Sequence, residues 1–281
     1  MRAKTQLLKH RINQTLSNVL SGPQPLTWFG PGTLTLTGAN TYTGTTTVNG
    51  GTLALARPTP FFNIMGPLVV NANGTVRWDV TDGVADVNVT VNGGTLNLTS
   101  KSDYINTLSL NSGAQVQGDQ SAAQYIIVNG SAGAKILGTG GGNAGTISSR
   151  IAITSVYGVA PGARTQEFDV ASATTLTVSG PIVDAAAGGF SGSLLKSNSG
   201  TLTLTGVNTY TGTTTVSAGT LTISHASGLG TGAVAVNGTL TYTVDTTGTR
   251  TVTVNSGGVI NKGGSTHSGT TFVNNGGTIN A

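Results

Sequence analysis

The chain has 281 residues, of which 37% are apolar, only 8% are charged and none is cysteine. Disordered chains combine low hydrophobicity with high charge, so this composition excludes that class, and the lack of cysteine excludes a disulfide framework or a thiolate metal site. The formal charge of +4 arises in the first eleven residues, where Arg2, Lys4, Lys9 and Arg11 have no acidic neighbours. The remainder is close to neutral and lacks the basic stripe of a nucleic-acid-binding protein, and no apolar run approaches the length of a membrane span.

The first predicted element is a short amphipathic α-helix over residues 4–20. Apolar side chains recur there at helical spacing and would share one face. That face consists of Leu8, Ile12, Leu16 and Val19. Because a lone helix of this length is marginal in water, we expect residues 1–26 to form an anchor that caps the rest of the chain or docks on another protein.

From residue 27 to residue 281 the pattern changes to strict alternation, as in TLTLT, TLNLT and TVTV. Alternation of apolar residues with Thr or Asn is typical of strands with one buried face. An Asn or Ser followed by a small residue recurs mostly every 18 to 22 residues, which suits one coil of a β-solenoid. These positions are Asn49, Asn71, Asn92, Asn111, Asn129, Ser217, Asn237, Asn255 and Asn275. A hydrogen-bonded ladder between successive asparagines is a hypothesis that follows from this spacing.

One stretch occurs twice almost unchanged, within residues 32–55 and 200–223. The first copy begins GTLTLTGANTYTGTTTV and the second GTLTLTGVNTYTGTTTV, so that one position in this core differs. Both copies place a tyrosine, Tyr42 and Tyr210, at the same point, where packing at a repeated corner explains it better than ligand binding does. Between the copies, the glycine-rich region near 138–192 departs from the rhythm and predicts looser coils or an excursion.

The duplicated core, followed in each copy by another GTL, resembles the autotransporter-associated β-strand repeat, also called the passenger-associated transport repeat. The resemblance implies an all-β fold, a right-handed parallel β-helix, which would occupy residues 27–281. The family occurs in exported bacterial adhesins and in fibre-like proteins of bacteriophages.

The two ends of the chain bear on the choice between these settings. The basic N-terminus lacks the apolar stretch of a signal peptide, and the C-terminus keeps the repeat rhythm without a membrane barrel. We therefore expect a non-enzymatic bacteriophage protein, a fibre, spike or capsid decoration that is assembled in the bacterial cytoplasm and displayed on the virion surface. Its expected partners are other virion proteins through the N-terminal arm, further copies of itself and a host-surface glycan. The alternative is a passenger fragment of an exported autotransporter adhesin on the bacterial surface.

A polysaccharide depolymerase is the third alternative. Enzymes that cleave polysaccharides use paired carboxylates, or a carboxylate with basic partners, and the only dense candidates here are Asp79, Asp82 and Asp86, near Arg77 and Trp78. This group could hold a cation or a sugar, with Trp78 as a stacking platform. A polar corner that keeps the solenoid soluble is the simpler interpretation. We predict no catalytic residue, resident metal ion or cofactor, since the three histidines are dispersed and no phosphate-binding loop or nucleophile elbow occurs.

Overall fold

Short alternating segments of this chain form strands that stack coil upon coil. A computed structural model describes residues 6–9, 13–58, 62–121, 124–128, 134–153, 164–184 and 191–281. Within these ranges the chain is a parallel β-solenoid and contains no helix. The predicted all-β, parallel β-helical fold is confirmed.

Each coil contributes one strand to each of two long sheets, in which all neighbouring strands are parallel. The first sheet has 13 strands. They are Gln6–Lys9, Leu26–Phe29, Thr46–Val48, Leu68–Asn71, Asn88–Asn92, Thr107–Asn111, Lys135–Gly138, Arg164–Val170, Gly192–Ser197, Thr214–Val216, Val234–Val236, Thr246–Asn255 and His267–Asn275. The second sheet also has 13 strands. They are Gln14–Leu16, Thr33–Leu36, Gly51–Leu55, Gly74–Trp78, Thr95–Asn97, Ala114–Gln117, Gly142–Ile147, Thr174–Val178, Thr201–Leu204, Thr220–Ile223, Thr239–Tyr242, Val259–Asn261 and Thr278–Asn280.

A third side is present over part of the solenoid. In its middle, four parallel strands form a separate sheet. They are Asp103–Ile105, Ile126–Val128, Ile151–Ile153 and Ile182–Asp184. Near the N-terminus, Ser21–Gly22 pairs with Thr41–Tyr42.

The register places equivalent side chains of successive coils directly above one another. Leu202 pairs with Leu221, and Leu221 pairs with Leu240. All three side chains are fully buried. Such rows join into one apolar core that runs along the axis from Leu26 to Ile260. Each buried leucine contributes roughly 2 kcal/mol relative to an exposed one, so the core stabilises every coil through its neighbours.

The predicted asparagine ladder is confirmed at the corner after the first sheet. The Nδ2 of Asn71 donates to Oδ1 of Asn49 at 2.6 Å, and Asn92 and Asn111 continue the chain of bonds at 2.9 and 2.6 Å. A second ladder joins Asn237, Asn255 and Asn275 at 2.8 and 3.2 Å. Asn129 lies outside the described residues. The ladders satisfy amide groups along the axis and hold the coils in register.

The predicted N-terminal helix is wrong. Gln6–Lys9 pairs in parallel with Leu26–Phe29, and Gln14–Leu16 pairs with residues 34–36 of the next coil. These segments form the first coil of the solenoid. A lone helix of this length is marginal in water, whereas the strands pair with the next coil and place Leu16 against the apolar core.

The structure does not place the described members of the predicted helix face on a helix. Leu8 lies in the strand Gln6–Lys9, and Leu16 packs against the apolar core. Val19 is 55% exposed. Ile12 lies outside the described residues. A docking role for this segment therefore has no helical stripe to support it.

Coils also continue through much of the region that the sequence marks as irregular. Strands of both long sheets and of the third sheet occur there, including Gly142–Ile147, Arg164–Val170 and Ile182–Asp184. Residues 154–163 and 185–190 lie outside the described ranges. The solenoid thus passes through this region in the parts of it that the structure describes.

Candidate functional site

The corner that follows the strand Gly74–Trp78 contains the predicted ligand group. Strand alternation turns the Trp78 ring inward, where it is 1% exposed. Its Nε1 donates to the carboxylate of Asp103 on the next coil. A ring enclosed in this way cannot stack on a sugar, so the expectation that Trp78 serves as a platform is wrong.

Asp79 lies at the surface and is bound by a neighbouring side chain. Arg77 donates to it in a bidentate manner, with Nε to Oδ1 and Nη2 to Oδ2 both at 2.7 Å. The hydrogen bond to Asp79 raises the pKa of Arg77. Because both carboxylate oxygens already accept an N–H, Asp79 binds within the chain, and a ligand role for it remains a prediction.

Asp82 sits in the tight turn of the same corner. Its backbone is left-handed, with φ of 54°, and its N–H donates to the carbonyl oxygen of Ser102 at 3.0 Å. Oδ1 is buried without a hydrogen-bond partner among the described residues. Burial first, and the charge of Asp86 second, raise the pKa of Asp82. Asp82 thus has one carboxylate oxygen that accepts no hydrogen bond, and this oxygen is turned away from solvent.

Asp103, which the sequence did not single out, is the most perturbed acid at this corner. It is fully buried. Besides Trp78, it accepts the backbone N–H of Val84 at 3.0 Å and that of Tyr104 at 2.7 Å. Burial raises the pKa of Asp103 to about 8, although the hydrogen bond from Trp78 acts in the opposite direction. A lone Asp in KSDYI carries no sequence signal, since only the stacking of coils brings it beneath a tryptophan 25 residues earlier.

The chemistry available at this corner follows from these positions. Two acids with raised pKa values, Asp82 and Asp103, lie close enough for their charges to interact. General acid–base catalysis requires both groups to reach a substrate, and Asp103 is enclosed. The described ranges hold no cluster of three or more His, Asp or Glu side chains placed to bind a metal ion. The corner thus ties adjacent coils together through the hydrogen bonds that Asp103 accepts from Trp78 and Val84.

A second polar cluster lies on the first sheet. Lys135 forms ion pairs with Glu167 and Asp169 on the next strand. Lys196 points into the solenoid, is fully buried, and donates from Nζ to the carbonyl oxygens of Ser197 and Asn198 at 2.8 and 2.7 Å. Burial lowers the pKa of Lys196 to about 8, with nearby Asp169 acting in the opposite direction. The ammonium group stabilises the backbone of this corner through these hydrogen bonds.

The two copies of the duplicated stretch use their polar residues in the same structural way. Tyr42 bonds through its hydroxyl to Thr46 at 2.6 Å, and Tyr210 bonds to Thr214 at 2.7 Å. The preceding asparagine is buried in each copy and bridges adjacent coils. Packing at a repeated corner, as the sequence indicated, accounts for both tyrosines.

Comparison with known proteins supports this repeat assignment. The family model of the passenger-associated-transport-repeat matches residues 26–55 and 194–223. Each match covers parts of two neighbouring coils, with two strands of each long sheet. The chain therefore carries two passenger-associated transport repeats, which confirms the family that the duplicated sequence resembles. Neither the curated proteins nor the solved structures include a match to this chain. No helix in the described ranges has the length and apolar character needed to cross a bilayer.

Proposed function

We propose that this chain is a non-enzymatic structural rod of the passenger type, displayed on or released from a bacterial surface. The observation that carries the proposal is the pair of passenger-associated transport repeats, both built into one parallel solenoid. A solenoid of this kind presents long, regular faces to its surroundings. Display and adhesion are functions that such faces serve without a catalytic centre.

The geometry of the polar corner favours a structural over an enzymatic role. Trp78 and Asp103 are enclosed and bound to each other, and Asp79 is held by Arg77. The common mechanism of glycosidic-bond hydrolysis uses two carboxyl groups that both reach the substrate. Asp82 is partly exposed, but its unbonded Oδ1 is buried.

The family-model matches also favour a passenger function over the bacteriophage virion location that the two ends of the chain suggested. The virion hypothesis came from the sequence at the two ends of the chain and expected a basic amphipathic helix as the docking element, whereas residues 6–9 and 14–16 are strands of the first coil. A virion location remains a prediction.

Locating the chain in cells of its native source separates these functions. We expect brief protease treatment of intact cells, followed by mass spectrometry, to release peptides of this chain, and peptides of a cytoplasmic marker to stay absent. Recovery of the chain in purified phage particles, with none on the cell surface, would contradict the proposal. For the enzymatic alternative, the purified chain and its Asp82→Asn variant are incubated with capsular polysaccharide. Shortening of the polysaccharide by the unaltered chain but not by the variant would overturn the non-enzymatic assignment.

A further inference from the structure

The outward face of the second sheet carries a regular array of hydroxyl groups over four consecutive coils. Every outward position at and just beyond the four strands is Thr or Ser, in three rows parallel to the axis. The hydroxyl array consists of Thr175, Thr177, Ser179, Thr201, Thr203, Thr205, Thr220, Thr222, Ser224, Thr239, Thr241 and Thr243. Pairing of residues 175–178, 201–204, 220–223 and 239–242 keeps the rows in register. Backbone hydrogen bonds from residues 205, 224 and 243 to the preceding coil extend the stack to the third row.

Strand propensity does not explain this uniformity. On the first sheet, the same coils and the one after them place Leu195, Thr215, Ala235 and Thr253 in one outward row, in unbroken register. Aliphatic and small side chains are accepted there. The second sheet holds no charged, aromatic or aliphatic side chain at any position of the hydroxyl array. Its composition therefore points to a surface whose chemistry is uniform for a reason beyond folding.

Most of these hydroxyls are free to bind something outside the chain. Only Thr241, Ser224 and Thr243 make a side-chain hydrogen bond within the described residues. The other nine have no side-chain partner there. Each hydroxyl offers one donor and two acceptor lone pairs, and each threonine adds a methyl group beside it.

We propose that the hydroxyl array binds the surface of ice. Neighbouring coils repeat about every 4.8 Å along the axis, and outward residues on one strand repeat about every 6.7 Å across it. A lattice of this size is close to the spacing of water oxygens on faces of hexagonal ice. The sheet backbone holds the rows rigid, so little conformational entropy is lost when the array orders a layer of water.

The chemistry of the array favours frozen water over a polysaccharide. Sugar-binding surfaces use aromatic rings, whose apolar faces cover the sugar, together with a few polar groups. The array has twelve hydroxyl groups, the methyl groups of its ten threonines and no ring. This inference is independent of the passenger-type function proposed above, because it rests on the face of one sheet.

Ice-affinity partitioning tests the proposal. Ice is grown slowly from a dilute solution of the purified chain, and the protein is measured in the ice and in the remaining liquid. We expect several-fold enrichment in the ice, together with a measurable gap between the melting and freezing points. The double substitution Thr203→Lys and Thr222→Lys, at the centre of the array, should reduce both to the level of an inert protein.

The matched control places the same substitutions on the other sheet. Thr215→Lys and Thr253→Lys are also outward and half-buried, and they should leave the enrichment unchanged. Circular dichroism establishes that each variant keeps its β structure. Exclusion of the unaltered chain from ice would overturn the proposal, as would an equal loss in folded variants of both sheets. Binding to insoluble cellulose or chitin without enrichment in ice would show a carbohydrate surface instead.

Discussion

Replacing Asp103 by asparagine removes the titration of the most deeply buried carboxyl group described in the solenoid. The pKa of this group is about 8 in the folded chain, against an ordinary value of 3.8. As the pH rises from 4 to 8, the unfolded chain releases this proton while the folded chain retains it. The folded state then binds more protons, so the contribution of Asp103 to the free energy of unfolding is largest below pH 4 and decreases until about pH 8.

The size of this decrease follows from the two pKa values. They differ by about four pH units, and each unit corresponds to about 1.4 kcal/mol, so Asp103 alone contributes a decrease of about 6 kcal/mol across the window. A change of this size is comparable to the whole stability of many domains. The amide oxygen of an asparagine can still accept from Trp78 and Val84, although its NH2 group loses the bond from the N–H of Tyr104. Because the amide does not titrate, the Asp103→Asn variant should overtake the unaltered chain as the pH rises.

Urea unfolding at a series of pH values between 4 and 9 measures the effect through tryptophan fluorescence. We expect the midpoint of the unaltered chain to fall steeply with pH and that of the Asp103→Asn variant to fall much less. A shallow slope should persist in the variant, since burial also raises the pKa values of Asp82 and Asp86. Asp119→Asn is the control, because Asp119 is exposed and an amide oxygen can still accept from the N–H of Ser121. Parallel profiles for the chain and its Asp103→Asn variant would refute the argument.

Three further predictions concern single residues. The folded chain releases the Lys196 proton at about pH 8, while the unfolded chain keeps it to about pH 10.5, so the unaltered chain should gain stability between these pH values. Lys196→Met should abolish this gain, which thermal melts across the range measure. Persistence of the gain in the variant would count against Lys196 as its source. Asn92→Ala removes two bonds of the asparagine ladder and should cost about 1–2 kcal/mol in urea unfolding; no shift of the midpoint would show that the ladder is energetically neutral. Gly180→Ala should cost about 3 kcal/mol, because a Cβ there would lie 2.0 Å from the carbonyl oxygen of Ser149. Gly141→Ala faces open space and should cost only about 1 kcal/mol for its left-handed backbone, so equal melting temperatures for these two glycine variants would contradict the close approach of the coils.

The coil architecture was predictable because its signals are local and periodic. Alternation of leucine and threonine determines which face of each strand is buried, whatever the strand pairs with. The spacing of Asn71, Asn92 and Asn111 equals one coil, so a ladder between them could be inferred before any coordinates. The duplicated stretch likewise indicated the repeat family from the sequence alone.

The N-terminal segment shows where local pattern misleads. Leu8, Ile12, Leu16 and Val19 fit a helix, but the same sequence also lies one coil before strands of the first repeat. Pairing Gln14–Leu16 onto the open edge of the sheet supplies backbone hydrogen bonds and a place for Leu16 in the core. Tertiary pairing decided between two patterns that the sequence allows, because the helix has no equivalent surface on which to pack.

The polar interior was decided by tertiary structure alone. Alternation indicates that Trp78 turns inward, yet nothing near it in sequence predicts Asp103 as its partner or the raised pKa of that acid. A pKa shift of this kind depends on which groups from different coils together exclude water. Coil stacking brings together groups that lie about 20 residues or more apart in the sequence. Sequence periodicity thus determined the strands, their faces and their repeat. The contacts between coils determined which polar residues are enclosed and which remain available to a ligand.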